Sequence, residues 1–227
     1  MRKKIISFLF ANKILRLFLP LFHWLIGGSR IISKKGNKFD TTTANLYKSR
    51  ISFNGTQGNQ VSIGEHTDLH NATITFKGDN NSLYIGANSF LNGLNLIIEG
   101  NNNSISIGDN VFILDDTRIY VVDGSCVAIG DCCMLSDHIE IRTTDNHAIY
   151  DKVSGKRINF EQNVMLGDHT WLGTRVTLLK GVELAEGTIV GAGSVVTQSN
   201  LIPNAIIAGN PARMIREDVR WTMERGH

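Results

Sequence analysis

The chain has little of what a small secreted domain or a metal-stapled module needs. Its 227 residues include only three cysteines, Cys126, Cys132 and Cys133. The number is odd, two are adjacent and none has the CxxC spacing of a metal site, so a disulfide framework and a zinc ribbon drop out and a reducing compartment fits. Aromatic residues make up 7% of the chain, too few for a basic nucleic-acid module that stacks bases. Proline occurs 3 times against 22 glycines. Before Asp40 there is no acidic residue at all, while nine basic ones fall there: Arg2, Lys3, Lys4, Lys13, Arg16, Arg30, Lys34, Lys35 and Lys38. The rest of the chain holds 14 basic against 21 acidic residues, so the net charge of +2 conceals two parts that meet different partners. With 42% apolar residues the chain builds a core, and disorder is disfavoured.

An uninterrupted apolar run is also missing. Ile5 to Ile26 is apolar apart from Ser7, Asn12, Lys13, Arg16 and His23, with Pro20 inside it. A spanning helix wants about 20 apolar residues, and Lys13 and Arg16 would sit near mid-bilayer at a cost of a few kcal/mol. On a helix, Lys13, Arg16, Pro20 and His23 form one polar stripe opposite Phe8, Phe18, Phe22 and Trp24. Residues 1–38 therefore read either as a basic amphipathic helix lying on an anionic membrane surface or as a helix packed on the domain or on a partner subunit. Gly27-Gly28-Ser29 makes a poor signal-peptide cleavage site.

What is abundant is repetition. Ile63-Gly64, Ile85-Gly86, Ile107-Gly108 and Ile129-Gly130 follow one another every 22 residues. Turns rich in glycine or asparagine precede three of them: Gly58-Asn59, Asp79-Asn80-Asn81 and Asn101-Asn102-Asn103. These residues tolerate left-handed backbone and read as corners. Further on, Leu166, Leu172, Leu178, Leu184, Val190 and Val196 keep a period of six, accompanied two residues earlier by Val164, Thr170, Val176, Val182, Thr188 and Ser194. A period of six suits neither a helix nor an isolated strand pair. It predicts a triangular solenoid with three faces per coil and the aliphatics stacked inside. The 22-residue period is then one coil of three hexapeptides plus a four-residue corner insertion.

Four stretches carry a resemblance. Leu166-Gly167-Asp168-His169-Thr170-Trp171-Leu172-Gly173, Lys180-Gly181-Val182, Val190 to Thr197 and Ala208-Gly209-Asn210-Pro211-Ala212-Arg213 resemble the hexapeptide-repeat acyltransferases. The likeness covers about Val61 to Glu217. Glu140 to Tyr150, followed by Lys156-Arg157-Ile158-Asn159, is most similar to bacterial polysaccharide O-acetyltransferases, including those acting on capsular polysialic acid. The resemblance implies an all-β, left-handed parallel β-helix over residues 39–217 as the acyltransferase domain. It is preceded by the N-terminal amphipathic helix and closed by a short C-terminal helix after Pro211, with residues 218–227 as a tail.

It also implies an activity: transfer of an acetyl group from acetyl-CoA to a hydroxyl of a capsule or lipopolysaccharide glycan. The enzyme would be a cytoplasmic homotrimer with its sites between subunits; the basic segment before Asp40, in its membrane-surface reading, would hold it peripherally at the inner face of the bacterial membrane, where such glycans are made. His147 lies where the hexapeptide pattern lapses, between Ile141 and Val164, and 24 residues before Trp171. Histidine titrates near neutrality, as a base that deprotonates a hydroxyl must. The resemblance makes it the catalytic base of a direct transfer without an acyl-enzyme; taken alone it reads as a solvated loop histidine. The donor side would comprise Trp171 beside the acyl group, Thr174 and Ala192 at the pantetheine, and Arg213 and Arg216 at the phosphates. Two positions depart from the galactoside-specific members: Gln198 follows Thr197 where lysine is common, and Thr117 stands where they have an acceptor-side asparagine.

A zinc carbonic anhydrase on this fold needs a histidine spacing that His66, His70, His138, His147 and His169 do not provide, so no metal is expected. An ice-binding solenoid needs threonine repeating from coil to coil on one face, which is lacking. A small soluble acceptor, free sugar or serine, stays open as the alternative substrate class.

Overall fold

A computed structural model describes residues 28–32, 36–41, 43–54 and 56–224. Of the 1–38 segment expected to be helical, residues 1–27 and 33–35 lie outside these residues, while Arg30–Ile32 and Lys38 already belong to strands of the first and second faces, so the solenoid begins before residue 39. Every described element is a strand, and the strands form three long sheets that are the faces of one parallel β-helix. The first face stacks eight strands, from Arg30–Ile32 down to Val195–Val196. The second stacks seven, from Lys38–Asp40 to Glu183–Leu184, and the third nine, from Asn45–Tyr47 to Ala212–Arg216. Each strand pairs in parallel with the strand one coil away, and only the last pair on the third face is antiparallel.

The register explains the period of six. Ile119, Ile141 and Leu178 stand opposite one another on the first face, Ile129, Leu166 and Leu184 on the second, and Leu135, Leu172 and Val190 on the third. All are at most 4% exposed. Their companions two residues earlier in the lower coils, Val164 to Ser194, are equally buried. Each such aliphatic contributes about 1.5–3 kcal/mol by leaving water, and the stack supplies the cohesion that a two- or three-residue strand lacks.

The extra four residues of each 22-residue coil lie at the corner between the first and second faces. Gly58, Asn80 and Asn102 have positive φ there, of 71°, 57° and 59°. The following asparagines turn inward: Asn59, Asn81 and Asn103 are at most 1% exposed. The N–H of Asn81 donates to Asn59 Oδ1 at 2.9 Å, that of Asn103 to Asn81 Oδ1 at 2.8 Å and that of Gly124 to Asn103 Oδ1 at 2.9 Å. This ladder gives the widened corner a satisfied polar interior. The Ile-Gly repeats have a steric cause at another corner. A Cβ on Gly108 would meet Asp131 Oδ1 at 2.2 Å, and one on Gly130 would meet Asp168 Oδ1 at 2.3 Å. Those carboxylates accept the N–H groups of Asp109 and Asp131 at 2.8 and 2.9 Å.

The lower end differs from expectation. The segment after Pro211 is no helix: Ala212–Arg216 is a strand running antiparallel to Ile206–Gly209. Ala-Arg-Met-Ile-Arg suits a helix by propensity. The last coil, however, leaves a sheet edge whose backbone groups need partners, and pairing with it satisfies them. Beyond this strand Trp221, 7% exposed, packs back on the third face. Its ring stacks on His169 with centroids 4.2 Å apart, and its Nε1 donates to the His169 carbonyl at 2.7 Å.

Candidate active site

The longest irregular segment, residues 143–163, leaves the first face after Glu140–Arg142 and rejoins the second at Val164–Leu166. It occupies the same corner as the four-residue insertions. Its outer part is a small hairpin: Tyr150 bridges Arg157, Asp151 N–H donates to the Lys156 carbonyl at 2.8 Å, and Ile158 N–H to the Ile149 carbonyl at 2.9 Å. Ile149, Tyr150, Ile158 and Phe160 are more than half exposed and Val153 is 97% exposed.

His147 sits at the base of this hairpin with its ring in solvent. Its backbone is held firmly. Asn159, 9% exposed, donates Nδ2 to the His147 carbonyl at 2.8 Å and to Asp145 Oδ2 at 2.9 Å, and accepts the Ile149 N–H at 2.6 Å. Lys180, on the coil below, reaches up to Asp145 Oδ2 at 2.6 Å and donates to the Phe160 carbonyl at 3.0 Å. The Lys180 hydrogen bond, helped by that from Asn159, holds the Asp145 carboxyl below its ordinary range despite partial burial. The Lys180–Asp145–Asn159 chain thus fixes the excursion to the rigid coil on both sides of His147. None of the three was assigned a role from the sequence, although Lys180 opens one of the family-like motifs and Asp145 and Asn159 lie within the others.

The residues expected on the donor side lie on the third face, at its corner with the first face and at its lower end. Trp171 points outward, as expected from its buried neighbour Leu172, and donates Nε1 to Ser136 Oγ at 3.3 Å. Trp221 lies against it, ring centroids 5.7 Å apart. Thr174 and Ala192 stack one coil apart at the corner between the third and first faces. The Thr174 carbonyl accepts Gly193 N–H at 2.8 Å, while the N–H groups of Thr174 and Ala192 donate to no carbonyl of a neighbouring coil. Arg213 and Arg216 are exposed on the antiparallel strand. Three residues apart, they would point to opposite sides of a regular strand. The register shifts between Ile206 and Ile207, so that Arg213 stands opposite Ala208 and Arg216 opposite Ile206, and the whole stretch Arg213–Arg216 is exposed.

Two other histidines are occupied. His138 has φ 59° and its Nδ1 lies 2.9 Å from Asp116 Oδ2, while His169 has φ 56° and its Nε2 lies 3.0 Å from the Trp221 carbonyl. Thr117 is fully buried and faces the core, not a cleft. Burial pushes the Cys133 thiol up to about 12, so it is no nucleophile at neutral pH.

No family model matches the chain. A crystal structure of the polysialic acid O-acetyltransferase OatWY matches with a TM-score of 0.80 and 31% identity, covering 88% of this chain and 92% of that one. That of the polySia-specific acetyltransferase NeuO matches with a TM-score of 0.76 and 28% identity over 86% and 83%. A polysialic acid O-acetyltransferase of Neisseria meningitidis is 36% identical over 88 residues, 39% of this chain and 41% of its own. Among curated relatives the sequence alignments thus span less than half of the partner's length. The chain belongs to the hexapeptide-repeat acyltransferases of left-handed β-helix fold. Within that family it is similar to the polysialic acid O-acetyltransferases.

Proposed function

We propose that the protein transfers an acetyl group from acetyl-CoA to a hydroxyl of a bacterial surface polysaccharide, of capsule or lipopolysaccharide. The likeness to the OatWY structure, 31% identical over nearly the whole of both chains, carries this reading. His147 acts as general base. It takes the proton of the acceptor hydroxyl while that oxygen bonds to the acetyl carbon, then returns the proton to the thiolate released as the carbon–sulfur bond breaks. A histidine anchored by its backbone and free at its ring suits the task, because the geometry is set before the acceptor arrives. Trp171 borders the acetyl group. The N–H groups at Thr174 and Ala192 meet pantetheine, and the exposed Arg213 and Arg216 bind phosphate oxygens.

The reading includes a homotrimer. The hairpin beside His147 exposes Ile149, Tyr150, Val153, Ile158 and Phe160, an apolar projection suited to burial against a neighbouring subunit. It also includes peripheral attachment to the inner face of the membrane through residues 1–38. Among the described residues no helix is long and apolar enough to cross a membrane.

An acceptor screen with acetyl-CoA tests the activity, comparing sialic-acid polymers, hexosamine polysaccharides, free sugars and serine. Acetylation of a polymer is expected. Turnover on free sugar or serine alone would replace this reading with that of a small-acceptor enzyme. Loss of binding to anionic vesicles on deleting residues 1–38, with catalysis on soluble oligosaccharide intact, is the corresponding expectation for the anchor.

A further inference from the structure

Residues 218–227 read from the sequence as a plain tail, yet the described part of it is tied to the solenoid at defined points. Val219 N–H donates to the Asn204 carbonyl at 2.9 Å, at the corner between the second and third faces in the lowest coil. Two coils higher on the same corner, His169 holds Trp221 through a reciprocal pair of bonds. Trp221 Nε1 donates to the His169 carbonyl at 2.7 Å, and His169 Nε2 lies 3.0 Å from the Trp221 carbonyl. The two rings stack nearly parallel, 8° apart. The tail therefore climbs the outside of the third face and delivers one indole, 7% exposed, to a fixed place.

That indole has a second neighbour. It tilts at 42° against Trp171 with centroids 5.7 Å apart, a separation at which aromatic pairs attract. From the coil above, Ser136, 8% exposed, accepts Trp171 Nε1 at 3.3 Å. Trp171 is thereby gripped from two directions: the serine hydroxyl fixes the edge that bears its nitrogen, and Trp221 supports the ring. An outward tryptophan on a two-residue strand would otherwise turn about its side-chain torsions into solvent. Trp171 stays half-buried, so a part of its surface remains open to a ligand.

We propose that Ser136 and Trp221 are positioning residues of the acyl-donor site: together they lock the Trp171 ring as the wall against which the acetyl group lies, and the tail is thereby a working part of that site. The proposal rests on the reading of Trp171 as the residue that borders the acetyl group, and adds the two residues that hold it there. Neither touches the donor; each acts through Trp171. A ring set in place before the thioester arrives loses no torsional freedom on binding, and a displacement of about 1 Å near reacting atoms costs as much as 100-fold in rate. Thr174, Ala192, Arg213 and Arg216 are assigned to the rest of coenzyme A, so the effect of the grip concentrates on the acetyl group.

The test uses the full-length protein with acetyl-CoA and coenzyme A, by calorimetry without acceptor, steady-state kinetics and circular dichroism. Wild type should bind acetyl-CoA about 3- to 10-fold more tightly than coenzyme A, as burial of one small apolar group on a ring gives. Trp221→Leu and Ser136→Ala should each bring that ratio close to one with coenzyme A affinity kept, and lower kcat about 10-fold or more. Trp221→Phe, which keeps a ring against Trp171, should recover most of the ratio. Two indoles this close should also give a coupled pair of dichroism bands, abolished by Trp221→Leu and by Trp171→Leu and weakened by Ser136→Ala. Ser136→Ala leaves the tail untouched, so it decides the matter if Trp221→Leu does not fold. Equal losses for acetyl-CoA and coenzyme A would make the tail a strap without a part in the donor site and overturn the proposal. An unchanged ratio in both variants, Trp221→Phe as impaired as Trp221→Leu, or absence of the coupled bands in wild type also overturns it. A ratio near one in wild type overturns it together with the assignment of Trp171. A preference for acetyl-CoA that both variants lose, in a protein that acetylates no acceptor, would leave the grip standing and remove the enzymatic reading instead.

Discussion

Above Arg142 a turn of the solenoid takes about 22 residues and below Val164 about 18, yet the two halves share one interior. The register runs through the change without a break, Ile119 to Ile141 to Leu178 and Ile129 to Leu166 to Leu184. All the added length is placed at one corner, between the first and second faces. In the upper coils it turns inward and becomes a column of asparagines. In the one coil where it is far longer it turns outward and carries His147. A parallel ladder fixes the faces strongly and leaves the corners open to insertion, so a single corner carries both a structural column and, in the function proposed, the chemistry.

The largest effect that would break this division of labour is on catalysis. His147→Ala should lower turnover about 10²- to 10⁴-fold with coenzyme A affinity kept, read by steady-state rates and calorimetry. Unchanged turnover would move the chemistry away from the excursion. Core truncation should cost alike in both halves: Leu96→Ala above and Leu172→Ala below are each expected to lose about 2–5 kcal/mol by denaturant unfolding. A clear asymmetry would mean that the halves do not share one cohesive stack.

Truncating the asparagine column separates the halves. Asn81→Ala strands the buried N–H of Asn103 and should cost about 1–3 kcal/mol, with turnover on soluble acceptor nearly intact. Lys180→Met should do the reverse, lowering kcat about 10-fold or more as His147 loses its anchor, with little change in melting temperature.

The smallest effect is one of pH. Because Lys180 holds the Asp145 carboxyl below its ordinary value, the anchor is fully present above the unfolded value of about 3.9 and is lost as pH falls through the lower folded value. Proteolysis within the hairpin should therefore accelerate only below about pH 4 in wild type. In Lys180→Met it should be fast at neutral pH as well.

Much of the architecture was legible from spacing, because each inward aliphatic recurs wherever the chain passes a face. The asparagines were half legible. Their tolerance of left-handed backbone marked Asn80 and Asn102 as corners, but the same residue type at Asn81 and Asn103 is buried, and nothing local separates the two uses. The strand at Ala212–Arg216 was misread as a helix because propensity is local and the edge that recruits it is not. His147 stood out only through its family-like surroundings. Its supports are scattered at Asp145, Asn159 and Lys180, and a contact between a loop and the next coil leaves no periodic trace.

The reversed strand at the lower end has a consequence for solution behaviour. A stack of parallel coils is a template with no natural length: its last rung offers unpaired N–H and C=O groups in the register that another coil, or another molecule, would adopt. Running Ala212–Arg216 against the grain occupies part of that rung with a chain of opposite direction and sets two arginines beside it. The strand after Pro211 thus caps part of the open end, and a protein cut before it is expected to present an adhesive edge prone to head-to-tail association.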